Sequence, residues 1–410
     1  MQYGCIGEKL SHSYSKDIHN KIGRYDYELC EVSRDGFDLF MQKRDFLGIN
    51  VTIPYKQSVI PYLYEIEENA QKIGAVNTVI NKNGKLYGYN TDFSGMKAMI
   101  EKAGIPLKSK KVLILGSGGT SKTANAVAQA LGASEIIKVS RTGNDGAVTY
   151  KECIDSHAYA DIIINTTPCG MYPENDQSPI DISRFKRLSG VVDVIYNPLR
   201  SRLILDAEML KIPCTGGLYM LVSQAVFAAE HFTGNKFDFT DKIFDELIKK
   251  KENIVLTGMP ASGKTTIGKM LAQYTGRAFI DTDEEIVKKA GMTIPDIFAK
   301  HGEEYFRDLE TETAKDIGKR CSLVIATGGG IVLRQKNIDA LKQNGKIYFI
   351  DRHLESLVPT DDRPLSQTPE AIKKRYEERY HLYLSTSDHT VKISDNIAEN
   401  AQKINKLHFG

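Results

Sequence analysis

The 410-residue chain sets 54 lysines and arginines against 52 aspartates and glutamates, a net charge of +2. That balance gives no reason to expect a nucleic acid or a membrane surface as the main partner. With 41% hydrophobic and 26% charged residues the composition is that of a folded protein, not a disordered one. At roughly 100–200 residues per domain, the length suggests two or three domains.

The six cysteines, Cys5, Cys30, Cys153, Cys169, Cys214 and Cys321, form no C-x-x-C pair. No histidine stands at zinc-finger spacing from them, so reduced thiols in a cytoplasmic protein are expected. The start, Met1-Gln2-Tyr3-Gly4-Cys5-Ile6-Gly7, lacks the basic region and apolar core of a secretion signal. Apolar runs such as Val112–Leu115 have the length of a buried strand, far short of a bilayer span.

In chain order, the first hundred residues hold polar clusters: Ser11-His12-Ser13-Tyr14-Ser15, Asn50-Val51-Thr52-Ile53-Pro54-Tyr55-Lys56, Gly74-Ala75-Val76-Asn77-Thr78 and Asn90-Thr91-Asp92. A strand over Val112–Leu115 then runs into Gly116-Ser117-Gly118-Gly119-Thr120-Ser121-Lys122. This is G-x-G-G-x-S, with Ser121 where the dinucleotide-binding fingerprint wants its third glycine. Alone it reads equally well as a structural strand–helix turn. Further strands over Ile136–Val139, Asp161–Ile164 and Val191–Val194, with helical stretches between the first three, give the rhythm of a doubly wound sheet. The second strand ends in Ser140-Arg141-Thr142. An NAD site would place an acidic residue here, about 20 residues on, for the ribose hydroxyls. Arg141 suits a 2′-phosphate instead, which favours NADP; the bland alternative is an exposed turn residue.

Phe244-Asp245-Glu246-Leu247-Ile248-Lys249-Lys250-Lys251-Glu252-Asn253 reads as a helix end running into a short charged linker, with a domain boundary near Lys250. The strand rhythm restarts at Ile254-Val255-Leu256 and continues at Leu323–Ala326 and Ile347–Ile350. Between strand and helix lies Gly258-Met259-Pro260-Ala261-Ser262-Gly263-Lys264-Thr265, which matches G-x-x-x-x-G-K-[ST] at every fixed position. Its backbone N–H groups, those at Gly258, Ala261, Ser262 and Gly263 among them, would face ATP phosphates. Lys264 would reach the β- and γ-phosphates, Thr265 would ligate Mg²⁺, and Thr266 would sit beside them. The two phosphate-binding motifs differ in type, which points to a fusion of unlike domains.

The residues after the P-loop carry a resemblance. Asp281-Thr282-Asp283, Phe306-Arg307-Asp308-Leu309-Glu310, Gly328-Gly329-Gly330, Arg363-Pro364-Leu365 and Arg379 with Tyr383 resemble, in this order and spacing, the shikimate kinase family across residues 252 to 410. The resemblance implies that Asp283 holds the substrate hydroxyls and acts as base, and that Arg307 and Arg379 grip the shikimate carboxylate, with Glu310 orienting Arg307. It implies that Gly328, Gly329 and Gly330 bring backbone against substrate. Asp281 would support Mg²⁺ beside Thr265, and Arg363 would close over ATP as part of a lid. Two features depart from it: the stretch before Arg363 is acidic, and Ser394-Asp395-Asn396 lacks an arginine that some relatives use near adenine.

The first half resembles shikimate dehydrogenase over residues 1 to about 245. The matching segments are the clusters quoted above with Asn165-Thr166-Thr167, Asp193-Val194-Ile195-Tyr196-Asn197-Pro198 and the stretch from Gly216 to Ala225. The resemblance implies Lys56 as proton donor with Asp92 as its partner, since ketone reduction needs a proton for the developing alkoxide. Ser13 and Ser15, helped by Tyr196, would bind the carboxylate; Thr52, Asn77 and Gln224 would bind ring hydroxyls. Gly116, Gly118, Gly119, Thr120, Ser121, Ser140, Arg141, Thr142, Thr166 and Gly217 would line the NADP site.

The fold expected is α/β throughout. A substrate domain (1–100 and 218–249) and a Rossmann-like NADP domain (101–217) precede a P-loop domain with a parallel sheet (250–410). The expected reactions are NADPH-dependent reduction of 3-dehydroshikimate and ATP-dependent phosphorylation of shikimate, in the cytoplasm. Alternatives are an NAD-using quinate/shikimate dehydrogenase fused to another small-molecule kinase, or a regulatory protein built from degenerate enzyme domains.

Overall fold

The structure is a computed structural model and describes residues 1–10, 14–357 and 368–410. Expectations for Ser13 and Arg363 lie outside the described residues. The chain divides into two compact units: Met1–Asn197 with Ser201–Glu246, and Leu247–Gly410 with Pro198–Arg200.

The first unit holds two six-stranded sheets. The first is mixed. Strands Tyr3–Gly7, Tyr27–Glu31 and Gly48–Val51 pair in parallel, but Thr78–Lys82 joins Gly48–Val51 antiparallel and Lys85–Tyr89 joins Thr78–Lys82 antiparallel. The reason is local. Asn83 and Gly84 both take positive φ, 53° and 81°, and close a two-residue hairpin that Asn-Gly favours.

The second sheet is parallel, in the order Cys214–Thr215, Gly190–Asp193, Ile162–Asn165, Lys111–Leu115, Glu135–Ser140, Val148–Thr149. Its central strands are buried on both faces, which is why they read as continuous apolar runs. Helix Thr91–Lys102 leads from the first sheet towards the second, and helix Leu218–Thr233 returns and packs along it. The two approach closely at Gly95, where an added Cβ would lie 2.8 Å from the Met220 carbonyl oxygen. Met96, Met99 and Ile100 pack with Val112, Ile114, Val127 and Met220 in one buried cluster.

The second unit carries a five-stranded parallel sheet in the order Ala278–Asp281, Leu323–Ala326, Asn253–Thr257, Gly345–Asp351, His389–Lys392. The chain passes from the central strand Asn253–Thr257 to either side of itself. Open α/β sheets of this kind bind ligands at the carboxyl ends of the strands where the order reverses. The lysine run at the start of this unit is not a linker: Thr240–Lys251 is continuous helix, and Glu252 alone separates it from the strand. Among the described residues no helix is long and apolar enough to cross a membrane.

Each unit buries a neutral histidine. His19 stacks on Tyr27 with ring centroids 3.8 Å apart and hydrogen-bonds the Tyr25 hydroxyl at 2.6 Å. His408 meets the Tyr348 hydroxyl at 3.0 Å. Burial pushes both imidazoles down to about 3 from an ordinary value of 6.5. The unfolded chain therefore takes up protons first as pH falls, so this contribution to stability is full above pH 6.5 and is lost progressively towards pH 3. Melting temperatures across that window should fall less steeply in His19→Phe and His408→Phe than in the wild type.

Two candidate active sites

The first site is built where the mixed sheet meets helix Thr91–Lys102. Beyond strand Gly48–Val51 the chain turns through Thr52–Lys56, and the Val76 N–H donates to the Lys56 carbonyl at 2.8 Å. Lys56 Nζ lies 2.6 Å from Asp92 Oδ2, with the side chains 32% and 21% exposed. Asp92 sits in the first turn of its helix, where the partial positive charge of the N-terminus favours a carboxylate. Asn90 caps that helix by accepting from the Phe93 N–H at 3.1 Å. Asn77 Oδ1 accepts from the Thr91 N–H at 2.7 Å, and Asn77 Nδ2 donates to Thr91 Oγ1 at 3.1 Å. Asn77 is thus first a residue that ties the helix to the sheet.

Asn50 and Thr91 carry no role in the sequence motifs, although both stand within them. Asn50 Oδ1 accepts from the Tyr27 hydroxyl at 2.7 Å, and its amide donates to Thr78 Oγ1 at 3.0 Å. A polar residue inside the otherwise apolar Gly-Ile-Asn-Val strand, and a hydroxyl at a helix start just after the Asn90 cap, are the signals that could have found them.

Gln224 is brought to the same helix: its Cβ and backbone N lie 3.0 Å from where a Cβ on Gly95 would stand, one turn on from Asp92. Its amide donates to the Leu221 carbonyl at 2.9 Å. Tyr196 meets Tyr14 edge to face with centroids 5.8 Å apart, and burial with the neighbouring phenol raises the Tyr196 hydroxyl above its usual range. Ser15 opens helix Ser15–Ile22, next to Tyr14, and Thr52 is half-buried beside Gly7.

The glycine-rich turn follows strand Lys111–Leu115. A Cβ on Gly118 or Gly119 would meet nothing within 4 Å, so the backbone at the start of helix Gly119–Ala130 is open to a phosphate group. Ser121 replaces the third glycine without conflict: it is buried and donates to the Gly118 carbonyl at 2.7 Å. Thr120, one residue before it, is half-buried. Thr166 donates to the Leu115 carbonyl at 2.6 Å, and Ser140 accepts from the Gly143 N–H at 3.0 Å. These three hydroxyls hold the loops rather than point outward, while Arg141 and Thr142 are exposed at the end of the adjacent strand. A Cβ on Gly217 would fall 2.0 Å from the Val194 carbonyl oxygen, so only glycine allows the return helix to start there. The open turn with a nearby arginine fits a phosphorylated dinucleotide.

The second site lies at the carboxyl ends of the parallel strands of the second unit, around a cavity of about 340 Å³. Gly258 has φ 147°, and a Cβ there would lie 2.7 Å from the Ile350 carbonyl oxygen, so the loop conformation requires glycine. Lys264 is buried and donates to the carbonyls of Gly258 and Met259 at 2.9 and 2.8 Å. Its ammonium is held at the centre of the loop, in reach of a phosphate. Thr265 Oγ1 donates to Asp281 Oδ2 at 2.9 Å, which sets a hydroxyl and a carboxylate side by side for Mg²⁺. Strand Ala278–Asp281 ends at Asp281, and Asp283 lies in the first turn of helix Thr282–Ala290. Asp281 caps that helix by accepting from the Asp283 N–H at 3.0 Å.

Opposite stand the arginines. Both carboxylate oxygens of buried Glu310 accept from Arg307 Nη1, at 3.1 and 3.0 Å. Burial raises the Glu310 carboxyl, and the Arg307 charge offsets only part of that. Burial also opposes the charge on Arg307, but Glu310 and Glu303 outweigh it and hold the guanidinium firmly protonated. Arg379 Nη1 donates to the Gly329 carbonyl at 3.1 Å, and the Tyr383 hydroxyl donates to the same oxygen. Side chains are excluded at the triple glycine: a Cβ on Gly330 would meet Arg307 Nη1, and one on Gly328 would meet Asp283 Oδ1. Ala261, Gly263, Thr266, Phe298, Phe306 and Arg375 also line the cavity.

Residues 260–408 match the family model described as shikimate kinase, and residues 5–79 match that of the shikimate dehydrogenase substrate binding domain. The NADP(+) shikimate dehydrogenase of Clostridium perfringens (strain 13 / Type A) is 36% identical over 264 residues, covering 60% of this chain and 97% of that protein. A chorismate mutase/shikimate 5-dehydrogenase fusion protein from Clostridium acetobutylicum superposes with a TM-score of 0.56 at 38% identity, over 60% of this chain and 96% of that one. The Thermus thermophilus shikimate 5-dehydrogenase in complex with NADP(H) and shikimate gives a TM-score of 0.54 at 27% identity, over 60% and 97%. The chain belongs to the shikimate dehydrogenase family, and its second unit carries a shikimate kinase domain.

Proposed function

We propose that this chain carries out two successive reactions on one ring acid: reduction of 3-dehydroshikimate to shikimate, then phosphorylation of shikimate. NADPH supplies the reducing equivalent of the first step, and ATP with Mg²⁺ supplies the phosphoryl group of the second. The Lys56 ammonium gives a proton to the oxygen that develops charge as the ketone is reduced, and Asp92 keeps that ammonium aimed. Ser13, Ser15 and Tyr196 take the carboxylate; Thr52, Asn77 and Gln224 face the ring hydroxyls. In the second site Arg307 and Arg379 hold the carboxylate, and Asp283 orients the attacking hydroxyl and accepts its proton. Lys264 neutralises phosphate charge, Thr265 and Asp281 would hold Mg²⁺, and Arg363 closes over the phosphates. In this reading the reactions run in the cytoplasm.

The observation that carries this reading is the convergence of Lys264, Asp283, Arg307 and Arg379 on one cavity, in a chain that also holds the Lys56–Asp92 pair. The test is direct. The purified chain should oxidise NADPH with 3-dehydroshikimate and transfer phosphate from ATP to shikimate; a chain that does neither overturns the proposal. Arg141→Ser should raise KM for NADPH about tenfold, through loss of a charge-assisted bond to the 2′-phosphate, and leave KM for NADH unchanged. An equal effect on both would assign Arg141 to the exposed turn alone.

A further inference from the structure

The triple-glycine turn is held at two points, and one of the residues that hold it has no part in the binding set given above. The Gly328 N–H donates to the buried Thr282 hydroxyl at 2.9 Å, at the start of the helix that carries Asp283. The Gly329 carbonyl accepts from Arg379 Nη1 at 3.1 Å and from the Tyr383 hydroxyl. Arg379 and Tyr383 stand four apart on helix Pro369–Thr386, so they share one face and reach the same oxygen. Gly329 also lies against the P-loop: a Cβ there would fall 2.8 Å from Pro260 Cδ. One residue of the turn therefore touches both the loop for the phosphates and the arginine for the carboxylate.

Tyr383 is fully buried, with its ring stacked on Phe349 at a centroid distance of 5.1 Å. Phenylalanine would serve that packing, and a buried hydroxyl is retained only where it finds a partner. Burial raises the phenol above its usual range, and the Arg379 charge offsets only part of this, so the hydroxyl stays a donor at neutral pH.

We propose that Tyr383 is a positioning residue of the kinase site: its hydroxyl, sharing the Gly329 carbonyl with Arg379, holds the acceptor ring in line with the phosphoryl group on the P-loop. The inference rests on the kinase reading above. Tyr383 does not line the cavity, so it acts through Gly329 and Arg379.

The experiment uses the full chain. Tyr383→Phe keeps the ring on Phe349 and removes only the hydroxyl. Its kcat for shikimate phosphorylation should fall about tenfold, because the acceptor loses its alignment. KM for shikimate should stay within about threefold, since Arg307 and Arg379 still grip the carboxylate. ATP affinity by equilibrium titration and the dehydrogenase rate should stay within about twofold, which checks that both units are folded. A purely structural role would lower the melting temperature and leave kcat alone. A kcat within about twofold of wild type, whatever the melting temperature, overturns the proposal, and so does a loss confined to KM. If the wild type does not phosphorylate shikimate, the kinase reading itself falls, a result distinct from an active wild type with an indifferent Tyr383→Phe.

Discussion

Lys56→Ala should reduce the dehydrogenase kcat by about a thousandfold and leave the kinase rate within twofold of wild type. The contact at stake is the 2.6 Å pair with Asp92. Alanine removes the proton donor and leaves the Asp92 carboxylate with no cation opposite. Lys56→Arg separates the two roles. A guanidinium keeps the ion pair, but its proton is held too tightly to be given up at neutral pH. That variant should keep a near-normal KM for 3-dehydroshikimate and lose kcat almost as fully as alanine. Steady-state NADPH oxidation checks both, with ATP-dependent phosphorylation of shikimate in the same preparations as the folding control. A Lys56→Arg enzyme with normal turnover would assign Lys56 to orientation and move the proton elsewhere.

Asp283→Asn should do the converse, with kinase turnover down about a thousandfold and dehydrogenase turnover unaffected. Asparagine preserves the shape beside Gly328, where an added Cβ would lie 2.4 Å from Asp283 Oδ1, so the cavity should not rearrange. It removes the negative charge and the proton acceptor. Arg307 and Arg379 remain, so shikimate should still bind with at most a few-fold loss, measurable by equilibrium titration in the absence of ATP. Retention of more than a tenth of the kinase rate would show that the attacking hydroxyl loses its proton by another route.

Much of this was legible in the residues because local and global signals agreed. Buried parallel strands wrote themselves as Val-Leu-Ile-Leu and Leu-Val-Ile-Ala, and the P-loop lysine and threonine sat at fixed offsets from their glycines. The mixed sheet is harder to read because its strands are short and part-polar, although Asn83-Gly84 marks the hairpin. The charged run after Leu247 was misread for a different reason. Lysines at a helix C-terminus complement its partial negative charge, so Lys249, Lys250 and Lys251 finish a helix where composition alone suggested a loop. Asp283 stands in a helix because Asp281 ends the strand and caps the next turn by accepting from its N–H, a bond that spacing alone does not show. Least readable were the hydroxyls. Ser121, Thr166 and Ser140 stand in ligand-like motifs yet hydrogen-bond their own loops, and only the folded backbone shows which partner each one has.

The Asn77–Thr91 bonds bear on how the dehydrogenase half can breathe. They fasten the start of helix Thr91–Lys102 to the strand that follows Asn77, on the side that carries Lys56. The nucleotide-binding sheet begins beyond the other end of that helix. If the two sheets swing apart to admit NADPH, Lys56, the proposed proton donor, and the Asp92 carboxylate travel as one body, and their separation is the same with the cleft wide or shut.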